Sequence, residues 1–134
     1  MNISAHVASS LNSHEIVVTT NDAEKTITIP PKSSGFGSSV NGGELLLLAL
    51  ATCYCNDLYR EAARQNITLH SVNVTVHAVF GREGEPGNNF TYTADVKGDA
   101  PPAVIEALLK HTDSVAEIQR TLRKGADITL VWKQ

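Results

Sequence analysis

One stretch decides the fold of this chain: NGGELLLLALATCYCNDLYREAARQN, from Asn41 to Asn66. Asn41 has a side chain suited to capping a helix, and Glu44, three residues later, completes a capping box. From Leu45 to Cys55 the helical positions are apolar on every side, which is typical of a helix enclosed by protein. Polar residues return from Asn56 onward. The stretch therefore predicts a long helix whose N-terminal half is buried and whose C-terminal half is partly exposed.

Three short runs with β-strand character precede this helix: ISAHV, EIVVTT and KTITI. Asn21-Asp22 supplies a turn between the second and third runs, which predicts a hairpin. Pro30-Pro31 ends the third run, because proline donates no hydrogen bond to a ladder. A loop rich in glycine and serine then leads into the helix.

The segment directly after the helix has the clearest strand pattern of the chain. Apolar residues at positions 72, 74, 76, 78 and 80 alternate with polar residues at positions 71, 73, 75 and 77, and the same alternation holds over residues 90–96. This period of two predicts two strands, each with one buried face. We expect them to form an antiparallel hairpin.

The C-terminal segment predicts two helices and a final strand. Pro101-Pro102 opens the first of these helices, and Asp113-Ser114 breaks it. A short helix follows to about Leu122, capped by Gly125. A last strand is predicted over residues 127–133. The order β-β-β, long helix, β-β, helices, β predicts an α+β fold with antiparallel sheets, in one domain over residues 1–134.

Composition excludes several classes of function. The net charge of -3 over 134 residues gives no electrostatic reason to bind nucleic acid. The apolar run from Leu45 to Ala51 is far shorter than the roughly 20 residues that cross a bilayer. The N-terminus lacks the basic start and apolar stretch of a signal peptide, so we expect a cytoplasmic protein with no membrane partner. The only two cysteines, Cys53 and Cys55, do not form a zinc motif, so neither a metal nor a cofactor is expected.

Three motifs, in this order, resemble the OsmC/Ohr family of osmotically inducible and organic hydroperoxide resistance proteins. They are the acidic residue and leucine/alanine run from Glu44 to Cys53, then AARQNITLHSVNVTVHAVF, then VAEIQRTLRKGADITL. The resemblance runs from about Gly42 to the end of the chain. It implies an intertwined homodimer in which antiparallel sheets wrap around long central helices. It also implies a cysteine at the dimer interface that reduces organic hydroperoxides through a sulfenic acid, which a second cysteine resolves.

By this resemblance Cys53 is the reactive cysteine and Glu44 is the catalytic carboxylate. Each has a simpler alternative: Cys53 as a small buried apolar residue, and Glu44 as a helix cap alone. The family's second cysteine falls at Ala116, and alanine cannot resolve a sulfenic acid. Cys55 is rotated by about 200° from Cys53 around a helix, so we expect it to serve in packing.

The thiol also needs an activator, because a thiol with a pKa near 8.5 is only a few per cent thiolate at about neutral pH. The family lowers this pKa with an arginine from the N-terminal part of the chain, but no arginine precedes Arg60 here. Asp57, one helical turn beyond Cys53, is expected to raise the thiol pKa instead. The remaining candidates for an activator are two histidines and three arginines: His6, His14, Arg60, Arg120 and Arg123.

Three functions are consistent with these residues. The first is a thiol-dependent hydroperoxide reductase that acts through Cys53 with an external thiol reductant, in oxidative stress defence. The second is a non-catalytic protein of the same fold that binds a small apolar ligand at the dimer interface. The third is sulfur or disulfide handling without peroxidase activity. Thiol reactivity separates the second function from the others, and hydroperoxide turnover separates the first from the third.

Overall fold

A computed structural model describes residues 1–132. Its elements are five strands and three helices: β1 (Ile3–Ser10), β2 (Ser13–Thr20), β3 (Ala23–Ile27), α1 (Gly42–Arg64), β4 (Leu69–Val79), β5 (Asn88–Gly98), α2 (Pro102–Val115) and α3 (Glu117–Lys124). Every strand pair is antiparallel, which confirms the predicted α+β class. Residue contacts divide the chain into two compact units, the first from Met1 to Leu45 and the second beginning at Leu46. The expectation of one domain over residues 1–134 stays a prediction.

The first unit contains a three-stranded sheet in the order β1-β2-β3. The predicted turn at Asn21-Asp22 is present, and Asn21 adopts a φ of 52°, a left-handed conformation that asparagine tolerates well. β3 ends at Ile27, opposite Ile16 of β2, which is earlier than the KTITI pattern indicates. The sheet thus lies in the first 27 residues, before the proline pair.

The N-terminus of α1 has the predicted cap. The backbone N–H of Glu44 donates to Asn41 Oδ1 at 2.8 Å, and Asn41 Nδ2 donates to Glu44 Oε1 at 2.7 Å. Glu44 therefore returns a bond to the side-chain amide of Asn41, where a standard capping box uses the backbone N–H. One of the backbone N–H groups left unpaired at the start of the helix is satisfied in this way.

The core of the second unit forms where α1 packs against the β4–β5 hairpin and α2. Tyr54, Leu58 and Ala62 from α1 join Leu108 and Ala116 in one buried cluster. The inward residues of the hairpin, which include Val72, Val74, Tyr92, Ala94 and Val96, pack against this cluster. The alternation therefore placed the inward face correctly over these residues, whereas Phe80 and Phe90, predicted on the same face, are 48% and 40% exposed.

The burial of α1 differs from the prediction. The buried residues are Leu50, Tyr54, Asp57, Leu58, Glu61 and Ala62, which lie mostly in the C-terminal half. Leu48, in the apolar half, is 59% exposed. The prediction of a buried N-terminal half is therefore wrong for the single chain. The cause is that the hairpin and α2 of the second unit cover the later turns of the helix.

Two further corrections concern the C-terminal segment. α2 continues through Asp113 and Ser114 to Val115, and the break falls at Ala116, whose backbone is extended with φ -64° and ψ 119°. The predicted strand over residues 127–132 forms no ladder, because no strand of the chain pairs with it within the described residues. Lys133, the last residue of that predicted strand, lies outside the described residues. Gly125 caps α3 as predicted, with a φ of 79°.

The described helices were also compared with what a membrane-spanning helix requires. None of them combines the length and the apolar character that a bilayer-spanning segment requires.

Candidate functional site

The Cys53 thiol lies between α1 and the first residue of α3. Its Sγ is 3.5 Å from Asp57 Oδ2, one turn further along α1, and 3.8 Å from Glu117 Oε2. The side chain is half-buried and packs against the core cluster of the second unit. Cys53 is therefore neither a core residue nor freely exposed, and two carboxyl groups are its polar neighbours.

The junction between α2 and α3 brings Glu117 to this position. Ala116 is fully buried in the core, and its extended backbone ends α2 and starts α3 in a new direction. Glu117 is the first residue of α3, and the backbone N–H of Ile118, the next residue, acts to lower the pKa of the Cys53 thiol. The N-terminus of a second helix therefore meets the thiol, a contribution that the sequence did not reveal.

Arg60 links the acidic residues of the site. Its Nη1 lies 2.8 Å from Asp57 Oδ1 and 3.2 Å from Glu117 Oε1, and its Nε lies 2.9 Å from Glu61 Oε1. Asp57 and Glu61 are only 5% and 4% exposed, although the amphipathic pattern placed them on a polar face. A buried carboxylate needs a partner, and the guanidinium supplies one to both residues.

Glu61 has two more partners at the other end of this network. Arg64 Nη1 donates to Glu61 Oε1 at 2.9 Å, and His111 Nε2 lies 3.0 Å from Glu61 Oε2. Hydrogen bonds from Arg60 and then from His111 lower the pKa of Glu61. The network therefore ties α1 to α2 as well as to α3.

The surroundings of Cys53 favour the neutral thiol. Burial raises the pKa of the Cys53 thiol, and the negative charges of Asp57 and Glu117 raise it further. The hydrogen bond from the Ile118 backbone acts in the opposite direction, because it stabilises the thiolate. The predicted effect of Asp57 on the thiol is thus confirmed in direction. Thiolate formation at neutral pH is disfavoured.

The pKa values of the two carboxyl groups beside the sulfur are shifted in opposite directions. Burial, and then the hydrogen bond and charge of Glu117, raise the pKa of Asp57. Backbone hydrogen bonding at the start of α3, followed by the hydrogen bond from Asp57, lowers the pKa of Glu117. Glu117, whose side chain is 61% exposed, therefore presents the negative charge to solvent.

The other predicted site residues lie elsewhere or remain untested. Glu44 is engaged with Asn41 as a cap, and its catalytic role stays a prediction. Cys53 and Cys55 are both free thiols. Among the arginines proposed as activators, Arg60 binds the carboxyl groups beside Cys53, whereas Arg123 binds Asp113 at 2.6 Å.

Glu117 and the Ile118 amide were missed at the level of sequence. The resemblance placed the family's second cysteine at Ala116. This placement was the signal in the sequence that could have directed attention to the neighbouring residue Glu117. Ala116 itself packs into the core, and its neighbour Glu117 faces the thiol.

Cys53, Asp57 and Glu117 also form the one cluster among the described residues with metal-ligand geometry. Their ligand atoms lie within 4.8 Å of one another. Thiolate and carboxylate groups are suitable ligands for a divalent ion such as zinc. Arg60 contacts both carboxyl groups, so a cation already lies beside them. The expectation of no metal stays a prediction.

An apolar cavity of about 320 Å³ lies between α1, the hairpin and α3 of the second unit. It is lined mainly by apolar side chains, with a few polar ones: Leu46, Leu50, Val76, Phe90, Thr91, Tyr92, Gln119, Leu122 and Arg123. Its size is at the lower end of the range for small-molecule pockets, roughly 300 to 1,000 Å³. Tyr92 packs edge-on against Tyr54, with ring centroids 4.8 Å apart. The lining described here does not include Cys53.

The fold is similar to several solved structures. An OsmC-like protein from Mycoplasma pneumoniae matches with 18% identity and a TM-score of 0.60, covering 91% of this chain and 86% of that one. An OsmC-like hydroperoxide resistance protein from Jannaschia sp. matches with 13% identity and a TM-score of 0.56, covering 98% and 91%. An organic hydroperoxide resistance protein OsmC from Legionella pneumophila, also described as a predicted redox protein and regulator of sulfide bond formation, matches with 19% identity and a TM-score of 0.54, covering 92% and 90%. At these identities the likeness shows the fold.

The family itself is shown by a different comparison. Among curated proteins, none matches the sequence significantly. The family model for OsmC-like proteins, however, matches residues 35–131, which include α1 with Cys53, the hairpin, and both later helices. This match spans well over half of the chain and agrees with the fold. The chain therefore belongs to the family of OsmC-like proteins.

Proposed function

We propose that this protein is a thiol-dependent organic hydroperoxide reductase with a role in peroxide stress, and that it acts through Cys53 with an external thiol as reductant. Family membership supports the general role, as do the hydroperoxide resistance proteins among the similar structures. The observation that carries the proposal is the position of Cys53. Its half-buried sulfur lies 3.5 Å from the carboxyl group of Asp57 and 3.8 Å from that of Glu117, two groups that can hold or release a proton.

The reaction needs one redox-active cysteine in the chain. The Cys53 sulfur attacks one peroxide oxygen, an S–O bond forms and the O–O bond breaks. The thiol proton passes to the departing alkoxide, which leaves as an alcohol, and Cys53 becomes a sulfenic acid. The carboxyl groups of Asp57 and Glu117 are close enough to the sulfur to relay this proton.

An external thiol completes the cycle. It attacks the sulfenic sulfur, releases water and forms a mixed disulfide with Cys53. A second thiol then attacks this disulfide, restores the Cys53 thiol and leaves as an oxidised disulfide. The external thiol is needed because Ala116 stands where the resemblance places the family's resolving cysteine, and because Cys55 lies on another side of α1.

Turnover with matched cysteine variants tests the proposal. Consumption of tert-butyl hydroperoxide with dithiothreitol is measured for the wild type, Cys53→Ser and Cys55→Ser, with the uncatalysed rate subtracted. We expect the wild type and Cys55→Ser to consume the peroxide and Cys53→Ser to stay at background. Background rates in the wild type, or equal rates in the wild type and Cys53→Ser, would contradict the proposal.

A second candidate function is the binding of a small apolar molecule, and the apolar cavity of the second unit favours it. The cavity is enclosed mostly by aliphatic and aromatic side chains, and Leu122 at its edge is 40% exposed. Titration calorimetry with a medium-chain alcohol such as octanol tests this function. Binding that Leu122→Trp weakens, because the larger ring fills the cavity, would support it. The absence of any heat of binding would reject it.

We also infer that the protein acts as a homodimer and resides in the cytoplasm. The dimer is supported by the apolar half of α1, where Leu48 is 59% exposed in the single chain. The cytoplasmic address rests on the sequence expectation given above.

A further inference from the structure

We propose that Glu117 makes the Cys53 site selective for charge, so that uncharged or cationic thiols reduce it and anionic thiols are disfavoured. The inference rests on the proposed function, because it names the class of external thiol that the reductase would use. Glu117 acts on the approaching thiol through its negative charge and forms no covalent bond itself.

Geometry places this charge at the reacting atom. Glu117 Oε2 lies 3.8 Å from the Cys53 sulfur, and the Glu117 side chain is 61% exposed, so its charge faces the solvent from which a thiol must arrive. Asp57, the other carboxyl group at the sulfur, is buried and hydrogen-bonded to its neighbours. An incoming anionic thiol that reaches the sulfur would thus come close to the Glu117 carboxylate.

Arg60 contacts the carboxyl oxygens that do not face the sulfur, and the other cations lie further along α3. Arg60 contacts Oε1 of Glu117, the oxygen other than the one beside the sulfur. Arg120 and Lys124 line the same surface of α3 at later turns. Coulomb energy falls with distance and salt screens charges beyond about 8 Å, so the nearest carboxylate is expected to dominate.

Methanethiosulfonate reagents that differ only in charge test the inference directly. The Cys53 sulfur attacks the reagent, an S–S bond forms, methanesulfinate leaves and the thiol proton passes to solvent. The rate constant for modification of Cys53 by the trimethylammonium reagent is divided by the rate constant for the sulfonate reagent. This ratio is then divided by the same ratio measured for free 2-mercaptoethanol. Both reagents meet the same thiol, so its degree of ionisation cancels from the ratio. Cys55→Ser serves as the background, so that only Cys53 reacts.

We expect the normalised ratio to exceed one in this background at low salt. Glu117→Gln should lower it by about three- to tenfold, the effect expected of one nearby unit charge acting on both reagents. Arg120→Gln, a matched change one turn further along α3, removes a positive charge and should therefore leave the ratio nearly unchanged or raise it. A ratio at the reference value, or one that Glu117→Gln leaves unchanged, would overturn the inference. Equal melting temperatures of the variants show that the fold is retained.

A second measurement separates this inference from the proposed function. After treatment with tert-butyl hydroperoxide, formation of the mixed disulfide is compared for cysteamine, 2-mercaptoethanol and 3-mercaptopropionate. We expect the cationic and neutral thiols to react faster than the anionic one. If no sulfenic acid forms with the peroxide, the proposed function fails, and the reagent ratio still decides whether Glu117 selects for charge.

Discussion

At the scale of single residues, opposing effects act on the pKa of the Cys53 thiol. Burial and two carboxyl groups raise its pKa, and only the Ile118 backbone hydrogen bond favours the thiolate. Cysteines that react quickly with peroxides have a lowered pKa, supplied by a nearby cation or a helix N-terminus. Here the nearest arginine, Arg60, is occupied by the carboxyl groups themselves. We therefore expect a slow thiol at neutral pH.

The pH dependence of Cys53 alkylation follows from this. Iodoacetamide reacts with the thiolate, so the rate should rise with pH and reach half its maximum above about 8.5, the ordinary thiol value. Glu117→Gln should move the midpoint to lower pH, because it removes a charge that opposes ionisation. The Cys55→Ser background isolates Cys53. A midpoint near pH 7 in the Cys55→Ser protein would contradict the raised pKa of the Cys53 thiol.

The sequence placed Asp57 beside Cys53 but did not reveal Glu117. The cysteine stands at the end of a leucine/alanine run that the resemblance makes recognisable. Glu117 is 64 residues away along the chain, and it reaches the sulfur only because Ala116 is buried and redirects α3. Contacts made by such a redirection depend on packing between elements, which local patterns do not encode. Asp57 was placed correctly because one helical turn is a local relation.

At the level of elements, α1 is fixed at its start by a cap and further along by ion pairs. The cap consists of Asn41 and Glu44 alone. The ion pairs join Glu61 to Arg60 and Arg64, and His111 adds a contact from α2. These two features predict different responses to substitution.

The cap predicts that Asn41→Ala destabilises the protein more than Glu44→Gln does. Asn41→Ala removes the acceptor of the Glu44 N–H, and loss of such a cap costs about 1 kcal/mol. Glu44→Gln keeps an oxygen that accepts from Asn41, so its melting temperature should change little. Thermal denaturation measures both. If Glu44→Gln leaves stability intact but lowers Cys53 reactivity about tenfold, the catalytic role of Glu44 is favoured over the cap, since tenfold corresponds to about 1.4 kcal/mol.

The ion pairs predict that the stability supplied by Glu61 depends on pH. Hydrogen bonds from Arg60 and His111 lower the pKa of Glu61 in the folded state. Its contribution is therefore present above the unfolded value of about 4.3 and is lost as the pH falls through the lowered folded value. Glu61→Gln should lower the melting temperature at pH 7, and the difference from wild type should shrink at acidic pH. A difference that is constant with pH would show that packing, and not charge, is responsible.

The sequence predicted most elements because their patterns are local. Period-two alternation defined β4 and β5, and the apolar run with its cap defined α1. The last strand failed because alternation over residues 127–132 shows only that a segment could pair, not that a partner strand is available in the same chain. The break after α2 was misplaced by two residues, because the buried Ala116 and not the polar Asp113-Ser114 pair sets the end of the helix.

At the scale of the whole molecule, several large apolar side chains are exposed to solvent in a single chain. Leu48 of α1 is 59% exposed, and Ile128, Leu130 and Trp132 of the C-terminal segment are 94%, 88% and 80% exposed. Exposed apolar groups in this number commonly mark an interface. We infer that a second copy of the chain covers these exposed side chains.

The dimer predicts that sedimentation at micromolar concentration gives twice the mass of the chain. Leu48→Asp should shift the protein toward the monomer or lower its stability, because a charge would enter the interface without a partner. Val104→Asp, a matched change at a residue of α2 that is 39% exposed, should have a smaller effect. A well-folded wild-type monomer at this concentration would contradict the inference.

Intact-mass measurement after hydroperoxide treatment tests the central claim, that Cys53 is a single redox-active cysteine resolved from outside. The chain is treated with one equivalent of tert-butyl hydroperoxide and then with 2-mercaptoethanol. We expect one added oxygen on Cys53, followed by one mixed disulfide, and sulfinic acid when peroxide is in excess. No change in mass, or a loss of two hydrogens mapped to a bond between Cys53 and Cys55, would contradict it.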